Sequence, residues 1–288
     1  MAGPTVFLNG LFMPLASARV SVLDRGFSYG DGLFETMRSY KGKIFRLDAH
    51  LQRLYQSLDL IYLSFPMTVW EMKSAVHETL IRNRHSDSMI RLTISRGEQN
   101  SGFHIDPETV PTLVIIVRPL ETLPREWVEK GIKISLFPST AQKIGGLGRQ
   151  IKSCNFLSNV IIRERAHRKK SMEGIMIDEQ GRVTEGTTSN VFIVKNATLI
   201  TPEINENILP GITRQAVLEI AARKGIPVAL QAITTEDIYH AEEVFITNSR
   251  IEILPVRVAD DRTIGDGNPG TMTRFLHEEF LKIVEAEN

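Results

Sequence analysis

Two side chains of opposite charge, Lys152 and Glu185, lie 33 residues apart in segments whose patterns suit catalysis. Lys152 is in Gln-Ile-Lys-Ser-Cys-Asn-Phe-Leu, just before a helical pattern, and Glu185 is in Val-Thr-Glu-Gly-Thr-Thr-Ser-Asn, at a strand and turn. A lysine amine forms a Schiff base with an aldehyde, and a carboxylate keeps a pyridine nitrogen protonated so that the ring accepts electrons. These are the residue types that pyridoxal 5′-phosphate chemistry requires, although a lysine and a glutamate alone are more often surface charges.

Three further segments contain the groups that bind a phosphate, which are helix N-terminal N–H groups, hydroxyls and an arginine. Residues 209–214 open a helical pattern and include Ile212 and Thr213. The strand-end sequence Thr-Asn-Ser finishes at Ser249, and Arg53 lies on the first predicted helix. Each segment also fits an ordinary role as a helix cap, a strand-end turn or a solvated arginine. A phosphate site therefore remains a hypothesis that depends on these segments acting together.

The composition is that of an ordinary globular protein and excludes several classes of function. Of the 288 residues, 42% are apolar and 24% are charged, and the 34 basic side chains balance the 34 acidic ones. A chain without net charge has no electrostatic reason to bind nucleic acid or an acidic membrane surface. No apolar run approaches the roughly 20 residues that span a bilayer, and the N-terminus lacks the basic and apolar regions of a signal peptide.

The cysteine and histidine content narrows the chemistry further. The single cysteine, Cys154, excludes an internal disulfide framework and fits a reducing compartment. The seven histidines show no paired spacing on one helix face, so we predict no metal site. We expect a soluble, cytoplasmic protein.

Short strand patterns alternate with helical ones along the whole chain and predict an α+β or α/β fold. Asp48 is predicted to cap the first helix, a Thr68–Glu71 capping box opens the second, and Gly225 ends the helix that follows Gly211. The predicted strands are 5–8, 11–14, 33–39, 43–47, 90–95, 112–117, 132–137, 174–177, 190–194, 198–200 and 243–247. The predicted helices begin near residues 48, 68, 155, 212 and 271.

The predicted domain boundary follows the strand pattern at 112–117. Residues 118–125 hold two prolines between apolar strands, which is typical of an interdomain linker. We predict a small N-terminal α/β domain at 1–118, a linker at 119–130 and a larger C-terminal domain at 131–288 that contains Lys152. The glycine-rich run around Gly145 is predicted to be a mobile loop.

Several motifs in this order resemble those of the class IV aminotransferases, the fold-type IV family of pyridoxal-phosphate enzymes. They cover nearly the whole chain, from about Phe7 to the last helix. The motifs are Asp-Arg-Gly-Phe-Ser-Tyr-Gly-Asp-Gly-Leu-Phe-Glu-Thr at 24–36, His-Leu-Gln-Arg-Leu at 50–54, the Lys152 and Glu185 segments, 209–214, and 247–249.

The resemblance implies a homodimer of two-domain subunits, with pyridoxal 5′-phosphate in the cleft between the domains. Lys152 would be the Schiff-base lysine and proton carrier, and Glu185 the partner of the pyridine nitrogen. The run near Gly145 is similar to the interdomain loop that borders the active site. The resemblance assigns the phosphate to Arg53, Ile212, Thr213 and Ser249. It assigns the substrate pocket to Tyr29, Phe34, Arg38, Arg91 and Arg96.

The implied function is transfer of an amino group between an amino acid and a 2-oxo acid, with the donor undecided. Phe34-Glu35-Thr36 and Lys152-Ser153-x-Asn155 resemble D-amino acid transaminases and aminodeoxychorismate lyases more than branched-chain transaminases. Residues 96–104 nevertheless lack the Arg-x-His carboxylate trap of the bacterial D-amino acid enzymes, and Phe156 stands where many relatives have tyrosine.

We expect a transaminase for D-amino acids or branched-chain amino acids, with Arg91 binding the donor carboxylate. One alternative is aminodeoxychorismate lyase, which acts by elimination on the same cofactor. A non-enzymatic alternative is a relative that binds the cofactor without turnover.

Overall fold

The computed structural model describes residues 3–99, 102–138, 147–148, 150–205 and 207–287, in which the chain forms eight α-helices and sixteen strands. The chain divides into two compact units. Unit 1 runs to Glu121 and also includes Ile151–Asn155, and unit 2 consists of Thr122–Gln150 and Phe156–Glu287. The prediction of a mobile loop around Gly145 falls outside the described residues. No helix within the described ranges is long and apolar enough to cross a bilayer.

Unit 1 is one antiparallel sheet with helices packed against it, in the strand order β2-β1-β6-β5-β3-β4. Its strands are β1 (Thr5–Leu8), β2 (Leu11–Pro14), β3 (Gly32–Tyr40), β4 (Lys43–Ile44), β5 (Ser88–Ser95) and β6 (Thr112–Pro119). Its helices are α1 (Arg25–Tyr29), α2 (Leu47–Leu60) and α3 (Val69–Asn83).

Strand β3 turns one row of side chains toward the core and the other row away from it. Leu33, Glu35 and Met37 are buried on the core side, where α2 packs against β3. Phe34 belongs to the opposite row, together with Arg91 of β5, whose backbone pairs with Thr36. A carboxylate therefore lies on the core side of β3, and an aromatic ring and an arginine share the other face.

Residues Ile151–Asn155 belong to unit 1 because they pair, through backbone hydrogen bonds, with the free edge of β3. The Phe34 amide donates to the Lys152 carbonyl at 2.9 Å, and the Cys154 amide donates to the Gly32 carbonyl at 2.8 Å. Strand β4 pairs only with the far end of that edge, at Ser39 and Tyr40, which leaves the near end to the Lys152 segment. Backbone pairing thus fixes where the Lys152 side chain begins.

Unit 2 is built on a mixed sheet in the order β12-β11-β10-β14-β15-β7-β8-β9-β13, with β16 paired to β15. Its strands are β7 (Ile132–Pro138), β8 (Glu173–Ile177), β9 (Arg182–Gly186), β10 (Asn190–Lys195), β11 (Thr198–Thr201), β12 (Val228–Leu230), β13 (Ile233–Thr234), β14 (Glu243–Asn248), β15 (Glu252–Ala259) and β16 (Arg262–Thr263). Its helices are α4 (Arg125–Lys130), α5 (Leu157–Arg168), α6 (Ile212–Lys224), α7 (Thr235–Tyr239) and α8 (Thr271–Glu287).

The core of unit 2 lies between this sheet and its helices. Helices α6 and α8 pack on each other and on β14, and α5 packs on β8. The rings of Phe192 and Phe245 stack at 4.9 Å across the β10–β14 pair. Two sheets with helices packed on them confirm the predicted mixed α and β class.

Local signals in the sequence predicted most element boundaries, including both bonds of the Thr68–Glu71 capping box and the left-handed Gly225 cap. The prediction that Asp48 caps the first helix was wrong. The helix begins one residue earlier, at Leu47, and Arg46 occupies the cap position with a φ of 51°. Asp48 lies in the first helical turn, and its carboxylate contacts the Lys73 amine at 2.6 Å.

Strand β15 was not predicted, although it lies in the middle of the second sheet. Its sequence contains Pro255, which has no N–H to donate and argues against a central strand. Pro255 pairs with Phe245 of β14, but the pairing of β15 with β7 begins only at Val256, so the proline lies just before the ladder on the β7 side. The segment predicted as a linker contains the last residue of β6, Pro119, and the short helix α4.

Candidate active site

In unit 1, the ring of Phe34 lies beside two cationic groups. Lys152 Nζ is 4.9 Å from the ring centroid, and the guanidinium carbon of Arg91 is 3.8 Å from it. Although Arg91 is exposed as a residue, desolvation of its guanidinium lowers its pKa, an effect that the nearby Arg118 reinforces. The group stays charged, because arginine does not lose its proton in proteins. An amine and a guanidinium around one ring can attract a substrate with a carboxylate.

On the core side of β3, Glu35 forms a buried cluster with two residues of α2. Arg53 donates from Nε to Oε1 and from Nη2 to Oε2, both at 2.7 Å. His50 Nδ1 is 2.8 Å from Oε2. Burial alone raises the pKa of Glu35, but Arg53 and His50 outweigh burial and hold that pKa far below its usual range. Glu35 is therefore an ionised carboxylate inside the core.

Burial is the largest influence on the pKa of His50 and lowers it, against the raising effect of Glu35, so the imidazole is neutral. The positive charges of Arg53 and Lys152 lower the pKa further. A neutral imidazole has one N–H, and a carboxylate acceptor requires that proton on Nδ1. His50 therefore donates to Glu35, and its Nε2 is the acceptor nitrogen.

In unit 2, the carboxylate of Glu185 on β9 holds the loop that leads into α6. Its Oε2 accepts a hydrogen bond from the Leu209 amide at 2.9 Å. The Leu209 carbonyl in turn accepts from Asn190 Nδ2 at 2.9 Å. Two consecutive strands, β9 and β10, thus hold the backbone N–H and the carbonyl of one loop residue. The conformation of this loop sets where the first turn of α6 begins.

The N-terminus of α6 has no side-chain cap, since its cap residue is Gly211. The amides of Ile212 and Thr213 lie in that first turn, where the helix dipole favours an anion. A Cβ at Gly211 would lie 1.9 Å from Asn190 Oδ1, so any larger residue there would have to displace the Asn190 side chain. The start of α6 is therefore a suitable place for a phosphate.

A buried hydroxyl lies on the same face of the sheet as Asn190. Thr247 pairs directly with Asn190 across β14 and β10, so both side chains point to one face. Within the described ranges, Thr247 Oγ1 is buried and makes no hydrogen bond. A buried polar group without a partner is costly in a folded protein and needs an explanation. An uncapped helix start and an unsatisfied hydroxyl both fit the phosphate of the predicted cofactor.

The other predicted residues occupy varied environments. Arg96 is buried and donates from Nε to Asp31 Oδ2 at 2.8 Å and from its Nη atoms to two backbone carbonyls. Tyr29 is exposed and lies 5.4 Å from the ring of Phe103, and the Arg38 guanidinium lies 4.2 Å from the ring of Tyr40. Arg96 thus takes part in a structural network of unit 1.

The remaining two predicted positions lie in unit 2. Ser249 is half-buried in the turn after β14, and Phe156 is the cap residue of α5. Within the described residues, no group of three or more histidine, cysteine, aspartate or glutamate side chains could hold a metal ion.

Three residues gained importance only from the structure, namely Glu35, His50 and Asn190. Thr247 belongs to the Thr-Asn-Ser segment that the sequence had already offered as a source of hydroxyls. Glu35 and His50 lie inside motifs that the sequence singled out, but no role was assigned to either. The three-residue spacing of His50 and Arg53 places both on one helix face, a signal that would have linked them. Nothing in the sequence marks the hydroxyl of Thr247 as unsatisfied, because that depends on strand pairing.

The chain is similar to known aminotransferases in both sequence and fold. Residues 32–259 match the family model described as amino-transferase class IV. A putative branched-chain-amino-acid aminotransferase of Methanocaldococcus jannaschii is 38% identical over 96% of both chains. A D-alanine aminotransferase of Listeria monocytogenes is 33% identical over 96% of this chain and 95% of that one. The solved T.th. branched-chain amino acid aminotransferase with pyridoxamine 5′-phosphate superposes with a TM-score of 0.93 at 29% identity, covering 100% of this chain and 96% of that one.

The chain belongs to the class IV aminotransferases. It is a transaminase that depends on pyridoxal 5′-phosphate, so the predictions of family, activity and cofactor are confirmed. The relatives named above are aminotransferases, and the lyase alternative is not favoured.

We predict that Thr247→Val changes protein stability and cofactor affinity in opposite directions. Without cofactor, removal of an unsatisfied buried hydroxyl should leave the free energy of unfolding unchanged or raise it by about 1 kcal/mol. Affinity for pyridoxal 5′-phosphate should fall roughly tenfold, the effect of one lost hydrogen bond to a charged group. Chemical denaturation of the apoprotein and cofactor titration measure the two effects.

The matched control is Thr201→Val on β11, which is separated from β14 by β10. The Thr201 hydroxyl is buried and donates to the Val191 carbonyl at 2.8 Å. Its loss should destabilise the apoprotein by about 1 kcal/mol and leave cofactor affinity unchanged. A Thr247→Val variant that behaves like this control would show that Thr247 takes no part in the anion site.

Proposed function

We propose that this protein transfers an amino group from an α-amino acid to a 2-oxo acid, with Lys152 and Glu185 as its central catalytic residues. The observation that carries the proposal is the hydrogen bond from the Leu209 amide to Glu185. Through it, the carboxylate suited to a ring nitrogen and the helix start suited to a phosphate are held by one loop of unit 2. Pyridoxal phosphate contains both a ring nitrogen and a phosphate, the two groups that these parts of the protein would bind.

Each residue then has a defined task. The bound cofactor supplies an electron-withdrawing ring that stabilises negative charge at the donor α-carbon. Glu185 keeps a proton on the pyridine nitrogen, and the Lys152 amine moves a proton from the α-carbon of the donor. The proposed phosphate ligands are Arg53, Ile212, Thr213 and Ser249, with Thr247 as an addition.

We propose L-branched-chain amino acids as the preferred donors. The resemblance to the Methanocaldococcus jannaschii protein and to solved branched-chain aminotransferases supports this choice. The absence of an Arg-x-His pair in residues 96–104 supports it as well. D-Amino acids are the second candidate, supported by the resemblance to D-alanine aminotransferases and by Phe34-Glu35-Thr36.

We predict that L-leucine converts the absorbance of the yellow holoprotein to that of the aminated cofactor, in a titration that also includes L-glutamate, D-alanine and D-glutamate. The rate with L-leucine should exceed that with D-alanine by at least about tenfold, or about 1.4 kcal/mol in the barrier. The reverse order would identify a D-amino acid transaminase. If no donor changes the spectrum, the proposal fails, and aminodeoxychorismate becomes the substrate to test.

We propose that Arg91 binds the donor carboxylate, since its guanidinium lies beside the same ring as the Lys152 amine. Arg91→Ala should lower kcat/KM for amino acids by roughly tenfold to hundredfold, the cost of about 1.5–3 kcal/mol for a bond to a charged group. The rate with 1-phenylethylamine, which has no carboxylate, should stay unchanged.

The control is Arg118→Ala, because Arg118 is an exposed arginine on the neighbouring strand β6. Its loss should affect neither type of donor. Equal losses with amino acids and with the simple amine after Arg91→Ala would contradict a carboxylate-binding role.

We propose that two copies of the chain form a homodimer, in which α5 supplies part of the interface. Leu157, Val160 and Ile161 are 71%, 57% and 44% exposed on this helix, although each is a large apolar side chain. Their spacing of three and four residues places them on one helix face. The opposite face is already buried through Ile162 and Ala166.

A cytoplasmic location stays a prediction that depends on the single cysteine.

We predict that Val160→Asp converts the dimer to a monomer, because a buried unpaired charge at the interface is strongly unfavourable. Size-exclusion chromatography with light scattering measures the mass. Leu281→Asp makes the same change at an apolar position of α8 that is 39% exposed, and this control should keep the parental mass. A Val160→Asp protein of unchanged dimeric mass would exclude this face of α5.

A further inference from the structure

The buried carboxylate of Glu35 has no task in the function proposed above, yet it is 1% exposed and fully ionised. Burial of a charge costs several kcal/mol unless partners with good geometry compensate for it. Glu35 has three such partners, namely two N–H groups of Arg53 and Nδ1 of His50. A core that needed only packing would be as stable with an apolar side chain, so this charge calls for a specific explanation.

The pairing fixes the plane and direction of the Arg53 guanidinium. Two parallel hydrogen bonds between a planar fork and a carboxylate restrict rotation far more than a single bond does. The edge formed by Nε and Nη2 faces Glu35, so the other three N–H groups of Arg53 point away from it. The Arg53 side chain is 11% exposed. The Glu35 carboxylate therefore sets the direction in which the remaining N–H groups of Arg53 point.

His50 keeps Glu35 itself in place. It donates to Oε2, the oxygen that also accepts from Arg53 Nη2. His50 and Arg53 lie on adjacent turns of α2, and Glu35 lies on β3 beneath them. The Glu35 carboxylate is thus hydrogen-bonded by two side chains of α2, and the bond from His50 holds it independently of Arg53.

The charge of Glu35 and its orienting effect on Arg53 predict opposite effects of its removal on phosphate binding. Glu35 neutralises much of the charge of Arg53, so by Coulomb attraction alone its removal should strengthen binding of an anion. Loss of the two fixed hydrogen bonds should weaken binding, because Arg53 would have to be ordered each time. The sign of the change in phosphate affinity therefore separates the two roles.

We propose that Glu35 is a positioning residue that holds the Arg53 guanidinium in the orientation required by the phosphate of the cofactor. This inference rests on the proposed phosphate role of Arg53. It concerns binding of the phosphate group, so it is testable without any measurement of turnover.

The experiment compares binding of pyridoxal 5′-phosphate with binding of pyridoxal, which lacks the phosphate, to the apoprotein. The variants are Glu35→Gln, Arg53→Gln and the double variant. Glu35→Gln should weaken binding of the phosphorylated compound about tenfold and leave that of pyridoxal unchanged. In the Arg53→Gln background the same change should have no further effect, since Glu35 acts through Arg53. Stronger or unchanged phosphate selectivity in Glu35→Gln, or equal losses in both backgrounds, would overturn the inference.

Two additional variants guard against a simple loss of folding. Arg53→Lys keeps the positive charge but lacks the planar fork, so it should lose phosphate selectivity as Arg53→Gln does. Wild-type selectivity in Arg53→Lys would overturn the positioning role. Asp31→Asn removes a carboxylate from two other arginines of unit 1, Arg25 and Arg96. It should lower stability without changing the ratio of the two affinities.

The two possible failures are distinguishable. If the parental protein binds pyridoxal as tightly as its phosphate ester, the proposed phosphate site fails, whatever Glu35 does. If the parental protein prefers the ester and Arg53→Gln abolishes that preference while Glu35→Gln retains it, only the positioning role fails.

Discussion

Backbone pairing between the Lys152 segment and strand β3 is the constraint on which unit 1 depends. A lysine side chain has four rotatable bonds, so its amine is placed reproducibly only if its backbone is fixed. The hydrogen bonds of Phe34 and Gly32 to that segment provide this, and they use an edge that β4 leaves open. The same strand carries Phe34 toward the amine and Glu35 toward the core. One strand therefore positions both the Lys152 amine and the Glu35 cluster behind Arg53.

In unit 2, the corresponding constraint is the fixed loop that leads into α6, next to the groups proposed to bind the phosphate and the ring nitrogen. The Glu185 carboxylate and the Asn190 side-chain amide both hydrogen-bond the backbone of Leu209. The loop that contains Leu209 leads into the uncapped start of α6. Because the donors there are backbone amides, they are rigid and need no reordering when an anion binds. The unsatisfied hydroxyl of Thr247 is a local cost that a phosphate would offset.

Local rules in the sequence predicted elements where short-range interactions decide the outcome. The Thr68–Glu71 capping box and the glycines around α6 fall in this class. Errors arose where longer-range structure overrode a local preference. Asp48 is a good cap residue, but the chain enters α2 through a left-handed Arg46 instead. Pro255 disfavours a central strand, but it lies where β15 pairs only with β14, one residue before the pairing with β7 begins.

The sequence by itself determined the family, the cofactor and the kinds of chemical group involved, because ordered motifs and residue types need no coordinates to be recognised. The tertiary structure decided which groups act together. Only strand pairing brings Thr247 to the face that holds Asn190, and only packing of α2 on β3 places Arg53 against a buried Glu35. These relations join residues that are distant in the chain, and burial determines whether a charge or a hydroxyl is satisfied. A linear pattern contains neither kind of information.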